Sequence, residues 1–184
     1  MPVYLALLRG INVSGKKIIK MEDLRKLMSS EGFENVKTYI QSGNVIFKSS
    51  ENRKDHLARS IEVIIEEHYG FDVLVFILEI KDLIKAVDNN PFVEGRVEEE
   101  AGFKKIYVTF LSEKPLAENF KKLKEAPIAN DLIEIIDDIL YFKLESRASD
   151  SKLSNNLIEN KLKVRATTRN WNTTLKLLSL MENP

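Results

Sequence analysis

Cysteine is absent from the 184 residues, which excludes disulfides, thiolate nucleophiles and every zinc or iron–sulfur site built on sulfur. Histidine is almost as scarce. His56 and His68 fall in one expected helix, twelve residues apart, which is about 18 Å along a helix axis. They cannot share a metal, so neither a metal nor a cofactor is expected. A surplus of charge is missing too, since 28 cations against 28 anions leave a formal net charge of zero. No global field draws the chain to nucleic acid or to a membrane, and any such attraction must come from a local patch. No apolar run approaches the roughly 20 residues that span a bilayer. The short N-terminal run soon meets Arg9, and nothing there resembles a cleavage site. A cytoplasmic protein without membrane contact is expected. The usual reaction motifs are also missing: no His-Glu-x-x-His, no Gly-x-Ser-x-Gly and no spaced pair of carboxylates. Glu145-Ser146-Arg147 and the acidic loop at Glu98 read as surface charge. Whether the chain is an enzyme, and its oligomeric state, stay open at this point.

What is present is a core-forming composition, 43% hydrophobic and 30% charged, arranged in a recurring order. Val3 to Leu8 is a short apolar run, as a central strand buried on both faces would show. Met21, Leu24, Leu27 and Met28 recur at helical steps, with Glu22 and Asp23 at the positive end and Gly32 at the stop. Val36, Thr38 and Ile40 alternate as a strand, Ser42-Gly43-Asn44 is turn chemistry, and Val45-Ile46-Phe47 completes a hairpin. Ser50 is the expected cap of a helix carrying Leu57, Ile61, Ile64 and Ile65, ended by Gly70. Phe71 to Leu78 reads as a further strand. Asp82 to Asp88 reads as a linking helix with Leu83, Ile84 and Val87 inward, and Gly95 to Gly102 as an exposed acidic loop.

The order then returns. Ile106 to Leu111 is a strand, and Pro115 suits a first helical turn with Leu116, Phe120 and Leu123 on its apolar face. Leu132 to Ile136 and Ile139 to Leu144 flank Asp137-Asp138 as a hairpin. Ser149 or Asp150 is the expected cap for Leu153, Leu157 and Ile158. Val164, Ala166 and Thr168 fit a closing strand, and Trp171, Leu175 and Leu178 a last helix. The expected fold is α+β: two consecutive ferredoxin-like βαββαβ units with a linking helix and a C-terminal helix. Residues 1–80 form the first unit, 81–102 the linking helix and acidic loop, and 103–184 the second unit with the terminal helix.

Glycine is scarce, seven in all, and three of the seven lie in two polar stretches, Arg9 to Lys17 and Gln41 to Asn44. In a ferredoxin-like sheet the first and third strands are antiparallel neighbours, so the first ends where the third begins. That brings Arg9, Asn12, Lys16 and Lys17 beside Gln41, Ser42 and Asn44 on one rim. Free N–H groups in a glycine loop before a helix form a ready anion site. The spacing Gly10-x-x-x-x-Gly15-Lys16 also matches the first seven places of a P-loop. Against that, Lys17 stands where Ser or Thr should bind magnesium, and Ile18-Ile19-Lys20 delays the helix. Two readings are left: a flexible turn whose glycines serve tight geometry, and an anion or nucleotide site that is not a P-loop. A second stretch, Lys161 to Lys176, holds five cations and no acid. There Asn170 and the threonines suit helix capping, and Trp171 suits packing on a sheet. Alternatively Arg169, Asn170 and Trp171 form a second wall, with Arg169 reaching an anion and Trp171 stacking on a ring.

Four runs carry a resemblance: Leu8-Arg9-Gly10-Ile11-Asn12-Val13-Ser14-Gly15-Lys16, Met21-Glu22-Asp23-Leu24-Arg25, Tyr39 to Phe47, and Thr167-Thr168-Arg169-Asn170-Trp171-Asn172-Thr173. Together they resemble the signature of the domain of unknown function family 1697, with Ser14 standing where that family would have glycine. The resemblance implies a compact, mostly bacterial cytoplasmic protein with ferredoxin-like units, and it implies no activity. Three functions compete: binding of a small phosphate-bearing or other anionic ligand, RNA or DNA binding, and protein interaction without catalysis. Nucleic-acid binding would use Tyr4 and Phe47 on an open sheet face, but the glycine–aromatic signature is absent and the neutral net charge speaks against it.

Overall fold

The structure is a computed structural model; the residues it describes are all but Ala101, Phe103 and Ser146. Among the described residues it contains eight strands and six helices. The chain divides into two compact units, Met1–Leu83 together with Leu177–Pro184, and Ile84–Lys176. No described helix is long and apolar enough to cross a membrane.

In the first unit the order is β1 (Val3–Leu8), α1 (Met21–Ser30), β2 (Glu34–Tyr39), β3 (Asn44–Lys48), α2 (Lys54–Tyr69) and β4 (Val75–Leu78). The sheet order is β2-β3-β1-β4 with antiparallel neighbours throughout. One face of β1, Tyr4, Ala6 and Leu8, joins Val45 and Phe47 in a core with Met21, Leu24 and Met28 of α1 and Leu57, Ile61 and Ile65 of α2. Phe47 sits against Tyr4 and Phe33, with ring centroids 5.8 and 5.1 Å away. Tyr4 and Phe47 are thus spent in packing beneath the helices and offer no open platform for bases.

α3 (Ile80–Asp88) follows. The second unit then holds β5 (Ile106–Leu111), α4 (Ala117–Lys124), β6 (Leu132–Ile136), β7 (Ile139–Lys143), α5 (Asn155–Leu162), β8 (Ala166–Asn170) and the first half of α6 (Trp171–Glu182). Its sheet runs β6-β7-β5-β8, again antiparallel. Leu123, Ile158 and Leu162 from the helices cover Leu111, Ile133, Leu140 and Phe142.

Several expected ends move. Ser50 does not cap α2. The Glu51 carboxylate accepts the Asn52 and Arg53 N–H groups instead, both at 2.8 Å, and it also contacts His56. The Arg53 N–H, and then His56, hold this carboxyl below its ordinary value of 4.5. A depressed folded value contributes stability that is present above the unfolded pKa and lost as pH falls through the folded one. Glu51→Gln is therefore expected to lower the melting temperature slightly at neutral pH and to leave it unchanged at strongly acidic pH. Thermal melts across that range check it.

The strand expected over Phe71 to Leu78 shortens to Val75–Leu78. α3 starts two residues before Asp82, whose carboxylate accepts the Glu79 N–H at 2.8 Å, and Ile84 faces outward rather than inward. In α4, Leu116 is an exposed N-cap, so Pro115 lies outside the helix. α5 is capped by Ser154, which accepts the Leu157 N–H, and not by Ser149 or Asp150. Ser146, the middle of the Glu145–Arg147 trio, lies outside the described residues, as does Ala101 of the acidic loop.

Candidate functional site

The first strand leaves the sheet through two backbone bonds. Leu8 N–H donates to the Gly43 carbonyl at 2.8 Å and Arg9 N–H to that of Leu74 at 2.9 Å. Because Leu7 stands opposite Asn44, the loop after β1 begins beside the turn before β3. Its two legs are anchored by Ile11 and Ile19, both buried in the core. Between them the chain doubles back: Asn12 N–H reaches the Lys17 carbonyl at 3.2 Å and Lys16 N–H that of Val13 at 3.0 Å. Ser14 and Gly15, at the centre of this tip, have φ of 51° and 72°, the pair of positive values that a type I′ turn requires. Serine is strained there and glycine is not. Ser14→Gly is expected to stabilise by about 0.5 kcal/mol, the relieved strain less the added unfolded-state freedom, a rise of roughly 1–2 °C in melting temperature.

Asn12 holds the loop to the turn. Its amide nitrogen donates to the Ile19 carbonyl at 2.9 Å and to the Gln41 carbonyl at 2.8 Å, while its oxygen accepts the Ile19 N–H at 2.8 Å. Its own φ is 54°, a region asparagine tolerates better than most residues. Across the gap, the buried Asn44 donates to the Tyr39 carbonyl at 3.0 Å and to Ser42 Oγ at 2.9 Å. Gly43 packs so closely that a Cβ would lie 2.7 Å from Leu8 Cβ and 2.9 Å from Ile11 Cδ1.

Arg9, Asn12, Lys16, Lys17, Gln41, Ser42 and Asn44 therefore share one corner of the first unit, but with different roles. The amides of Asn12 and Asn44 fasten backbone. Lys17 Nζ donates to the carbonyl of Asp72 and lies 3.3 Å from its carboxylate. Gln41 and Lys16 are exposed, and Lys16 has no ion-pair partner among the described residues. The backbone N–H groups of Ser14 and Gly15 have no acceptor among them either. Both neighbours of β1 are antiparallel to it, so the Gly10–Lys16 spacing sits outside the parallel sheet a P-loop needs. Ile11, Ile19 and Asp72 complete this corner and went unnoticed in sequence. The burial of the first two had a signal in their apolar character within a polar run, but Asp72 had none.

Arg169, Asn170 and Trp171 belong to the second unit. Here β8 passes directly into α6, and Asn170 Oδ1 caps the turn by accepting the Thr173 N–H at 2.9 Å. Arg169 is buried, donating to Thr167 Oγ1 and the Thr168 carbonyl at 3.1 and 2.9 Å. Burial brings its pKa down to about 10, which leaves it charged at neutral pH. Trp171 is fully buried and its indole N–H donates to the Val97 carbonyl at 2.7 Å, so its ring packs rather than presenting a face. Beside it Asn172 clasps the backbone of Glu99 from both sides, accepting its N–H and donating to its carbonyl. The Glu99 carboxylate in turn accepts the Lys105 and Ile106 N–H groups, so this part of the acidic loop is tied down. Asn172→Ala is expected to cost about 1–2 kcal/mol for the two lost bonds, read from denaturant unfolding. His56 and His68 lie apart, and the described residues hold no group of acids and histidines suited to a metal.

The profile of a protein family described as "Protein of unknown function (DUF1697)" matches residues 1–141. No curated protein matches the chain. Among solved structures, a conserved bacterial protein from Streptococcus pneumoniae is similar at 25% identity, with 97% of this chain and 98% of that one covered and a TM-score of 0.72.

Proposed function

Because the chain belongs to the DUF1697 family, whose description carries no reaction, we propose a role from its own residues: binding of a small phosphate-bearing or other anionic ligand at the Val13–Lys16 tip. The direct donors are the Ser14 and Gly15 N–H groups and the Lys16 ammonium. Arg9, Gln41 and Ser42 complete the rim, and Asn12 and Asn44 position it. The observation that carries this reading is the pairing of unshared amides with an unpaired cation on a turn locked from below. Two successive residues of positive φ hold these unshared N–H groups and Lys16 on one tight exposed turn, and successive backbone amides of a turn are donors to anions. Arg169, Asn170 and Trp171 are assigned to architecture. We also read each unit as ferredoxin-like, on the strength of its β-α-β-β-α-β order and its 2-3-1-4 strand order, with the domains divided near residues 81–102. The test is thermal shift against orthophosphate, pyrophosphate and nucleoside phosphates. A saturable rise that Lys16→Ala removes is expected. No rise with any of them, or one that survives Lys16→Ala, rejects the assignment.

A further inference from the structure

The second strand of each unit lies at a sheet edge, and the two edges are finished differently. β2 is interrupted, with a register shift between Glu34 and Lys37, Asn35 at a φ of 50° and Lys37 exposed. Bulges and edge lysines are devices that stop an edge from pairing. β6, Leu132–Ile136, has neither, and no proline or glycine; it pairs with β7 in unbroken register. The hydrogen bonds along β7 decide which groups of β6 face outward. Leu111 N–H donates to the Asp138 carbonyl at 3.0 Å and Leu144 N–H to that of Lys105 at 2.8 Å. Even-numbered residues of β7 therefore bond to β5, and Ile139, Tyr141 and Lys143 bond to β6, opposite Ile136, Glu134 and Leu132. By the alternation of an antiparallel ladder, the N–H and C=O groups of Ile133 and Ile135 point away from the sheet. None of them has a partner among the described residues. The side chains of Ile133 and Ile135 go to the core, leaving Leu132, Glu134 and Ile136 on the other face. Leu132 is 48% exposed. Glu134 is exposed and makes no ion pair among the described residues.

We propose that β6 is a docking edge for an extended segment of another protein, added as a fifth strand, with lysine or arginine opposite Glu134 and apolar residues two positions to either side. The outward groups of Ile133 and Ile135 supply the main-chain bonds of such strand addition. Glu134 falls at a non-hydrogen-bonded position of the new pair, where opposing side chains come closest. Leu132 and Ile136 take the flanking apolar residues. A second copy of this chain fits less well, because the two-fold pairing that matches Ile133 with Ile135 sets Glu134 against its own counterpart.

The test titrates the whole ¹⁵N-labelled protein with a capped heptapeptide carrying lysine at its centre, valine two residues to either side and threonine elsewhere. A matched peptide with central glutamate is the control. Saturable shifts and slowed exchange at the Ile133 and Ile135 amides are expected with the lysine peptide, and binding roughly tenfold weaker with the glutamate one. Ile135→Pro removes an N–H that the β6–β7 ladder does not use and abolishes binding. Glu134→Lys, a surface change that keeps the test intact if the proline variant does not fold, inverts the preference. Binding of neither peptide up to millimolar concentration, equal binding of both, or concentration-dependent shifts at Ile133 and Ile135 without peptide overturns the proposal.

Discussion

Gly43→Ala is expected to lower the melting temperature by roughly 6–12 °C, the counterpart of about 3 kcal/mol in a chain of this size. Two effects add. The residue sits at a φ of 79°, where any Cβ costs about 1–2 kcal/mol. That Cβ would also lie 2.7 Å from Leu8 Cβ and 2.9 Å from Ile11 Cδ1, and overfilling a packed site costs about 1–3 kcal/mol more. The near neighbour on Leu8 is the root of its side chain, next to the backbone that bonds Gly43, so it cannot swing aside. Gly10→Ala separates the two contributions. Its φ is 70° but nothing lies within 4 Å of the added carbon, so only the strain of about 1–2 kcal/mol remains. Thermal melts of both variants check the pair. Equal losses would mean that the close approach of the turn to β1 contributes nothing.

Asn12→Ala ranks next, at about 2–4 kcal/mol. One amide makes three bonds, and its loss strands the N–H and carbonyl of Ile19, a buried residue, at about 1–3 kcal/mol for an unsatisfied buried group. Alanine at a φ of 54° adds strain. Asn12→Asp sharpens the test. It keeps the acceptor for the Ile19 N–H but points a carboxylate at the carbonyls of Ile19 and Gln41, so it is expected to destabilise despite its near-identical shape. Hydrogen exchange reads the mechanism directly, since the Ile19 amide loses protection in Asn12→Ala and retains more of it in Asn12→Asp. A variant that loses stability with the Ile19 amide still protected would remove Asn12 from its assigned role.

Much of the architecture was legible because it rests on local patterns. The apolar run Val3–Leu8, the alternation and turn residues around Ser42-Gly43-Asn44, and the period of Met21, Leu24 and Met28 each state their element in a few residues. Once the order of elements was known, the meeting of the end of β1 with the start of β3 followed from topology and not from spacing, whereas the register that sets Leu7 opposite Asn44 is read from the structure. What stayed hidden depends on partners far along the chain. Nothing near Lys17 announces Asp72, and nothing near Trp171 announces the Val97 carbonyl. Ser50 and Glu51 are both credible helix starters by type, and only the fold of the backbone decides that the carboxylate, not the hydroxyl, reaches the free N–H groups. The candidate site was legible as a place but not as a division of labour. Asn12 and Asn44 read as ligand-facing amides in sequence, whereas both are spent on the fold, Asn12 on the backbone of Ile19 and Gln41 and Asn44 on the Tyr39 carbonyl and Ser42 Oγ. Lys16 is left as the cation at the tip because its neighbour Lys17 has Asp72.

The most direct measurement is an amide-resolved NMR titration of the whole protein with pyrophosphate. Saturable shifts centred on Ser14, Gly15 and Lys16, lost in Lys16→Ala while the Asn12 and Ile19 signals stay in place, are the expected result. Unmoved amides at that tip, or shifts scattered over exposed lysines such as Lys121, Lys122 and Lys124, would contradict an anion site there.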